Sequence, residues 1–461
     1  MRKSSVVLLL VGLLSASYLN AQDSLMISEQ RFLQQFLTSY PLLQVAERNV
    51  AIAELDVESA RAAFDPVWYG EFGNKVLEGK DYYSYNHSSI EWNLPPGFQL
   101  RAGTDLNRGD FINPERFTPS EGLAFAELKV PLGQGLLRDE FNTYLQRARL
   151  LNERSILDLE LAQREWLIIA AEAYWSWKAL EDVVDMREQI TTLSQLRYKQ
   201  TVQRYNGGAA TAMDTLEAYN QVVKRKVELV TSQAELEFWY RTVGGMIWDQ
   251  QLIPAYRRGG VQPDSTWTAT LSQQIPTNDQ LLLHPKMGMI RFDAGVADLD
   301  FRLARENLRP KIDFKAQALS DPRNLSISSN STIFGVSAKV PIISRKERAK
   351  FNATKIKMEQ VSLKLSQTER DLMQKYDQLS TQTSLLNQSL SLVEENAVNA
   401  RKLLSMEEQK LRIGESTIFL LNRRENSYIE AELKRIETQL KLRSTEWKLL
   451  MLTEEPSNVV F

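Results

Sequence analysis

The chain has 461 residues, 43% hydrophobic and 25% charged, and its 56 Lys and Arg against 58 Asp and Glu leave a formal charge of -2. That balance lacks the basic surplus of a nucleic-acid binder, and the absence of cysteine excludes disulfides, thiolate metal sites and thiol nucleophiles. With only His87 and His284, a zinc enzyme built on two or three His ligands is nearly excluded, and the low counts of 15 Pro and 20 Gly favour long regular elements.

The N-terminus opens with the basic Met1-Arg2-Lys3, followed by an apolar run from Val6 to Leu14 and by small and polar residues ending Leu19-Asn20-Ala21-Gln22. That is the layout of a secretory signal over residues 1–21, cut after Ala21. A membrane anchor is the competing reading, but the run is far shorter than the roughly 20 residues a spanning helix needs. No later window approaches 18 apolar residues. Membrane residence would therefore require a closed β-barrel, the other backbone arrangement that satisfies its own polar groups in lipid.

A helix is predicted over roughly 28–64. Between Pro66 and Pro131 the apolar period changes from 3.6 to 2. Val67–Phe72, Tyr82–His87, Ile90–Leu94, Phe98–Gly103 and Phe125–Val130 read as strands, with a turn at Pro95-Pro96-Gly97. Alternation with aromatic residues suits a barrel wall with one lipid face and one wet face; a small soluble β-domain has the same pattern. Trp68 and Trp92 suit either interface anchors or core positions. His87, among tyrosines, reads as a loop or barrel surface residue. A long helix is predicted over 138–205, in which Trp166, Trp175 and Trp177 pack between helices, and a shorter one over 211–246. A connection rich in Trp, Pro and Gly covers 247–276.

The second half repeats this order with a helix over 277–308, strands within 311–341, a helix over 344–413, a helix over 416–454 and a tail at 456–461. Its long helix carries Leu372, Tyr376, Leu379, Thr383, Leu386, Leu390, Val393, Ala397, Ala400 and Leu404 at alternating spacings of 4 and 3, the seam of a coiled coil. At ~1.5 Å per residue each long helix would be about 100 Å long. In each half the two shorter helices together match the long one, so they stack end to end and antiparallel to it. Four landmarks recur in order: Tyr40-Pro41 and His284-Pro285; Pro66 and Pro310; Lys129-Val130-Pro131-Leu132 and Lys339-Val340-Pro341-Ile342; and the turns Tyr205–Thr211 and Leu411–Thr417. Such serial repetition marks a duplicated unit. Gly208 and Gly414 suit the positive φ of a tight reversal, and Thr211 and Thr417 suit helix caps.

The exported N-terminus, the duplicated helix–strand–helix–turn–helix units and the Tyr/Leu-x-x-Gly-x-x-Thr turns resemble the TolC-like outer-membrane efflux proteins. So does the strand Val336-Ser337-Ala338-Lys339-Val340-Pro341-Ile342 leading into a long helix. The resemblance covers residues 22–461. It implies a mainly α fold with a small β part: long antiparallel coiled-coil hairpins forming a trimeric α-barrel in the periplasm, and four strands per protomer in a shared 12-stranded barrel in the outer membrane. It places 247–276 at an equatorial region. It also implies a homotrimer in outer-membrane lipid, working with a periplasmic adaptor and an inner-membrane pump of RND or ABC type. Adaptor docking falls to the tip turns Tyr205, Gly208, Thr211, Leu411, Gly414 and Thr417. The family closes its periplasmic mouth with acidic side chains past the glycine; here those positions hold Asp214 and Glu217 in half one and Leu420 and Arg423 in half two, so the gate candidates are Asp214, Glu217 and Arg423. The chain departs from the family in length: Pro66 to Pro131 spans 65 residues and Pro310 to Pro341 spans 31, an excess of 34 in half one that reads as another hairpin or as longer surface loops.

The function expected is a passive exit duct, with no catalytic residue, no metal and no cofactor. No Walker loop, G-x-G-x-x-G or H-E-x-x-H occurs. The runner-up is a periplasmic coiled-coil adaptor or scaffold. An exported hydrolase would need paired carboxylates, but the acidic residues lie scattered along helix faces, the ordinary pattern of solvated charge. The cargo, and the choice between drug efflux and polypeptide secretion, are not written in the chain. N-terminal sequencing of the exported protein should begin at Gln22; a start at Met1 would retain the segment as an anchor.

Overall fold

The computed structural model describes residues 25–248, 261–264, 267, 281–325, 328 and 330–456. The expected signal peptide, most of the 247–276 connection and the first residues of the helix expected from 277 lie outside them. The chain divides into two compact units. A helical unit comprises Met1–Val45, Ala162–Leu281 and Leu372–Phe461, and a sheet unit comprises Ala46–Leu161 and Leu282–Asp371.

In chain order the elements are β1 (Leu25–Ile27), α1 (Glu29–Ser39), α2 (Pro41–Arg61), β2 (Val67–Leu77), β3 (Lys80–Leu94), β4 (Phe98–Arg108), β5 (Leu123–Pro131), α3 (Glu140–Asn206) and α4 (Ala212–Gly244). They continue with β6 (Val261–Pro263), α5 (Pro285–Glu306), β7 (Lys311–Ser320), β8 (Thr332–Lys339), α6 (Arg345–Arg412) and α7 (Ile418–Thr453). The helix expected over 28–64 is broken at Tyr40, which is extended (ψ 122°). Pro41 disfavours the helical region for the residue before it, so α1 stops and α2 starts with Pro41 as its first residue. The strand segments expected at 82–87 and 90–94 are one strand, β3.

The helical unit is built around α3. Ala170, Ala171 and Ala173 keep one stretch of α3 thin, and Phe32, Leu33 and Phe36 of α1 pack into it beside Tyr174, Trp175 and Trp177. Val243 of α4 and Trp447 and Met451 of α7 complete this core. Glu29, in the first turn of α1, accepts from two indoles: Trp175 Nε1 at 2.5 Å and Trp447 Nε1 at 2.6 Å. One carboxylate thereby satisfies the buried polar ends of both rings. Tyr174 Oη donates to Ile27 O at 3.0 Å, holding β1, which pairs in parallel with β6. Burial pushes the Tyr174 hydroxyl pKa well above the usual tyrosine value. On α6, the seam residues Leu372, Leu379, Thr383, Ala397, Ala400 and Leu404 are all buried.

A second, polar layer ties four helices together. Glu425 of α7, 1% exposed, accepts from Arg225 Nε of α4 at 3.0 Å and is ion-paired with Arg197 of α3. Arg197 also reaches Glu408 of α6 at 2.6 Å, and Arg225 reaches Glu228 at 3.0 Å and Asn426 Oδ1 at 2.6 Å. Every member has a partner, which is the condition for buried charge to be tolerated.

In the sheet unit, six strands form one antiparallel sheet in the order β2-β3-β4-β5-β7-β8. The four strands per protomer implied by the resemblance are therefore corrected to six. The 34 extra residues supply a further hairpin that enters the sheet, because its register runs unbroken from Ser84↔Arg108 to Leu94↔Phe98. The turn joining β3 to β4 is pinned at its base: Trp92 Nε1 donates to Phe64 O at 2.7 Å and Asn93 Nδ2 to Ala63 O at 3.2 Å. Gly97 there has φ +84°, and a Cβ on it would meet Gly135 O at 2.8 Å. Between β3 and β4, Gly103 lets Ser89 lie against it; a Cβ on Gly103 would meet Ser88 O at 2.1 Å.

Two substitutions test these contacts by thermal or denaturant unfolding in detergent. Gly103→Ala forces backbone of β3 and β4 apart and should cost at least ~1–3 kcal/mol, the range of an overpacked core. Glu425→Ala leaves the nearly buried Arg225 and Arg197 short of their shared anion and should cost about 3–5 kcal/mol; stability within error of wild type would remove this network from what holds the four helices.

Candidate functional site

Two regions carry the chemistry: the faces of the sheet and the turns that end α3 and α6.

On the sheet, strand alternation sorts the side chains into two sets. One face carries Trp68 and Phe72 of β2, Ile90 and Trp92 of β3, Leu100 of β4, Leu128 of β5 and Phe334 and Val336 of β8. All of these are exposed, Trp68 by 70% and Phe72 by 74%. Trp68 and Trp92 therefore sit on this surface, and neither is core. The other face carries Glu71, His87, Ser89, Glu91, Arg101, Asp105, Glu127, Lys129, Asp313 and Lys315. On β3, β4, β5 and β7 these are the more sheltered set, with Glu127 4% exposed, whereas Glu71 on the edge strand β2 is exposed. Burial is thus inverted relative to a protein whose surroundings are water on all sides: apolar groups bare outside, charged groups inside. The sheltered charges are paired across strands. Arg101 lies between Glu91 at 2.8 Å and Glu127 at 3.8 Å, Lys315 meets Glu127 at 2.5 Å and Lys129 meets Asp313 at 3.3 Å. Glu71 accepts from Tyr69 Oη and Tyr85 Oη, both at 3.0 Å.

His87 Nδ1 meets Asp105 Oδ1 at 2.5 Å and its Nε2 meets Ser89 Oγ at 3.1 Å, with the ring stacked on Phe125. The connectivity is that of a Ser–His–Asp hydrolase site. Ser89 is buried on an interior strand, whose backbone N–H groups are taken up by the ladders on both sides. The line orders the wall and offers neither an accessible nucleophile nor free donors for an oxyanion. It also locates His87 on the sheet's polar face.

At the turns, the two halves repeat the same hydrogen bonds. Gly208 (φ +75°) and Gly414 (φ +86°) would meet nothing if a Cβ were added, so glycine is needed there for its backbone freedom alone. Ala209 N donates to Arg204 O at 2.8 Å and Glu415 N to Lys410 O at 2.9 Å, the same closing bond in each half. Thr211 and Thr417 cap α4 and α7 through their hydroxyls. Tyr205 is exposed; Leu411 is half-buried and lines a pocket of about 720 Å³ with Arg197, Gln200, Leu421 and Gly414.

The three gate candidates fall in two places. Asp214 completes a capping box: Thr211 N and Thr211 Oγ1 donate to its Oδ2 at 2.8 and 2.9 Å, while its own N–H donates to Thr211 Oγ1 at 3.2 Å. Those bonds to the charged form hold its carboxyl below the usual carboxylate range. Half two has Leu420 at this position, so its cap lacks the return bond. Glu217 of α4 and Arg423 of α7 line one groove with Met213, Lys224, Phe419 and Glu430. Sequence reasoning did not single out Arg197, Arg225 and Glu425; their signal, charged residues on the inward face of amphipathic helices, is indistinguishable from solvated charge until the helices are packed.

Residues 278–453 match the family described as outer membrane efflux protein. No curated protein matches the chain. Among solved structures, the outer-membrane channel OprN is similar at 13% identity and a TM-score of 0.69, over 92% of this chain and 89% of that one. The Campylobacter jejuni CmeC outer membrane channel is similar at 9% identity and a TM-score of 0.68, over 93% and 88%. The Vibrio cholerae outer membrane protein VceC is similar at 14% identity and a TM-score of 0.66, over 93% and 96%. Residues 278–453 are thus an outer membrane efflux protein domain, and the chain that contains them has the fold of the TolC-like outer-membrane channels.

Proposed function

We propose that the protein is the outer-membrane exit duct of a tripartite export assembly, a homotrimer coupled through a periplasmic adaptor to an inner-membrane pump. The observation that carries this reading is the inverted burial of the sheet. A bare face of Trp68, Phe72, Ile90, Trp92, Leu128, Phe334 and Val336 suits lipid, and the paired charges behind it suit a water-filled lumen. A periplasmic adaptor, wetted on both sides, has no use for such a face. Among the described residues no helix is long and apolar enough to cross a membrane, so the strands are the crossing elements.

The helices support association of copies. The inner seam of α6 is filled within the chain, yet Leu385 and Leu392 remain exposed away from that seam, and Leu216, Val223 and Val230 form an exposed heptad row on α4. Apolar rows at coiled-coil spacing are what neighbouring helices of a ring cover. The tip turns, Tyr205 to Thr211 and Leu411 to Thr417, with the exposed Met213, Ile413 and Phe419 nearby, are the surface offered to the adaptor's helical ends. The duct is passive, and opening is a sliding of packed helices at the tips, a shear motion. Glu217 and Arg423, facing one groove between α4 and α7, are its gate residues, and Asp214 acts beside them by fixing the start of α4.

In detergent the mature protein should have the mass of three copies, and Leu385→Asp with Leu392→Asp should reduce it to one. In planar bilayers the wild-type channel should be mostly closed, and Asp214→Ala with Glu217→Ala should conduct more. Glu217→Ala alone leaves the capping box intact and should show the same direction; unchanged conductance in both would take these residues out of the gate.

A further inference from the structure

The sheet of this chain is half as wide again as the four strands its resemblance implies, and the added hairpin continues its apolar face through Trp68, Phe72, Ile90 and Trp92, with Ser84, Asn86 and Ser88 of β3 on the same side and Ser88 accepting from Trp68 Nε1 at 3.0 Å. β2 has 11 residues and β3 has 15, against 9 to 11 in β4, β5 and β7; about 9–11 residues suffice for a tilted strand to cross a bilayer. On β2 the side chains alternate in the same sense as on the rest of the sheet: Trp68, Phe72 and Val76 on the bare apolar side, Tyr69, Glu71 and Lys75 on the polar side. A hairpin folded over the mouth as a loop, or into the lumen as a plug, would gain nothing from a lipid-facing row of Trp68, Phe72 and Val76. The polar side of the hairpin is tied to the wall by Glu91–Arg101 and His87–Asp105, both reaching β4.

The two free edges of the sheet are then β2 and β8. Neighbours alternate in direction along the six-strand order, so β2 and β8 run opposite ways. The β8 edge of one copy and the β2 edge of the next can therefore pair antiparallel with their apolar faces on the same side. An even strand number per copy is required for this, and six satisfies it. Unpaired edges in lipid are costly, so the edges must be covered.

Resting on the reading of the protein as a trimeric outer-membrane duct, we propose that β2, not β4, is the intersubunit edge, and that three copies close a barrel of eighteen strands. Barrels of 16–18 strands leave an aqueous channel of porin width. The outer-membrane end of this duct thus sets no tight size limit on a polar cargo, and restriction is left to the helical tips.

The chain has no cysteine, so engineered pairs report without background. Trp68→Cys or Phe72→Cys, each combined with Phe334→Cys or Val336→Cys, probes the β2–β8 junction. Ala102→Cys or Thr104→Cys, combined with the same β8 positions, probes a β4–β8 junction, the one that forms if the added hairpin stands outside the wall. Membranes carrying each double variant are oxidised and run under denaturing conditions, and the native mass of each is measured in detergent. Covalent dimers and trimers are expected from at least one β2–β8 pair and from no β4–β8 pair. Linked β4–β8 pairs, or a native trimer with no β2–β8 pair linked, would overturn the eighteen-strand barrel and leave the trimeric duct standing. A native monomer with no pair linked would overturn both.

Discussion

The constraint on which the structure depends is hydrogen bonding at the edges of a sheet whose outer face is apolar. Within the six strands, neighbours are joined by antiparallel ladders, with one bulge in the β2–β3 ladder beside Lys75 and Val76, but β2 and β8 each turn one row of N–H and C=O groups outward. In water such edges are a liability; in lipid they are intolerable. The apolar set on that sheet, from Trp68 to Val336, has value only where lipid is present. These two facts together are what the proposed association of copies rests on. The helices show the same incompleteness on a smaller scale, since α4 and α6 keep apolar heptad positions on faces this chain does not cover.

The helical unit uses two different kinds of packing. Around α1 it is aromatic and alanine-rich, and the half-buried carboxylate of Glu29 is committed to two indole N–H groups. Closer to the turns it is ionic, with Glu425 shared by arginines from two other helices. Apolar packing suits a region that must stay put. A charged junction that depends on complete pairing is all-or-none, since removing one member leaves a buried charge. The duplicated turns nearby are specified locally: glycine at positive φ, a shared closing hydrogen bond and a threonine cap define each reversal.

Much of this was legible in the chain because it is periodic. The seam from Leu372 to Leu404 on α6, the alternation of Phe125 to Val130, and the Gly-x-x-Thr turns are patterns of spacing, and spacing survives in one dimension. The site was less legible. Asp214 and Glu217 look equivalent in sequence, three residues apart on one helix; Asp214 is a capping residue and Glu217 a groove residue because the first helical turn leaves N–H groups that a side chain at Asp214, and not one at Glu217, can serve. The Glu29 clamp joins residues 146 and 418 positions apart, and no local pattern announces it. The break between α1 and α2 at Pro41 is local chemistry, but the apolar period on both sides of it is helical, so period alone joins them into one helix.

By itself the sequence determined the element types, their duplicated order and the amphipathic sense of each strand and helix, because these follow from side-chain period and from the local chemistry of proline, glycine and threonine. Only the tertiary structure decided that the surplus in half one is a hairpin inside the sheet, with β2 at its edge. Strand membership of a sheet depends on which backbone ladders are completed at long range. The same alternating residues would serve a loop, a plug or a wall until Ser84 to Leu94 are set in register against Phe98 to Arg108.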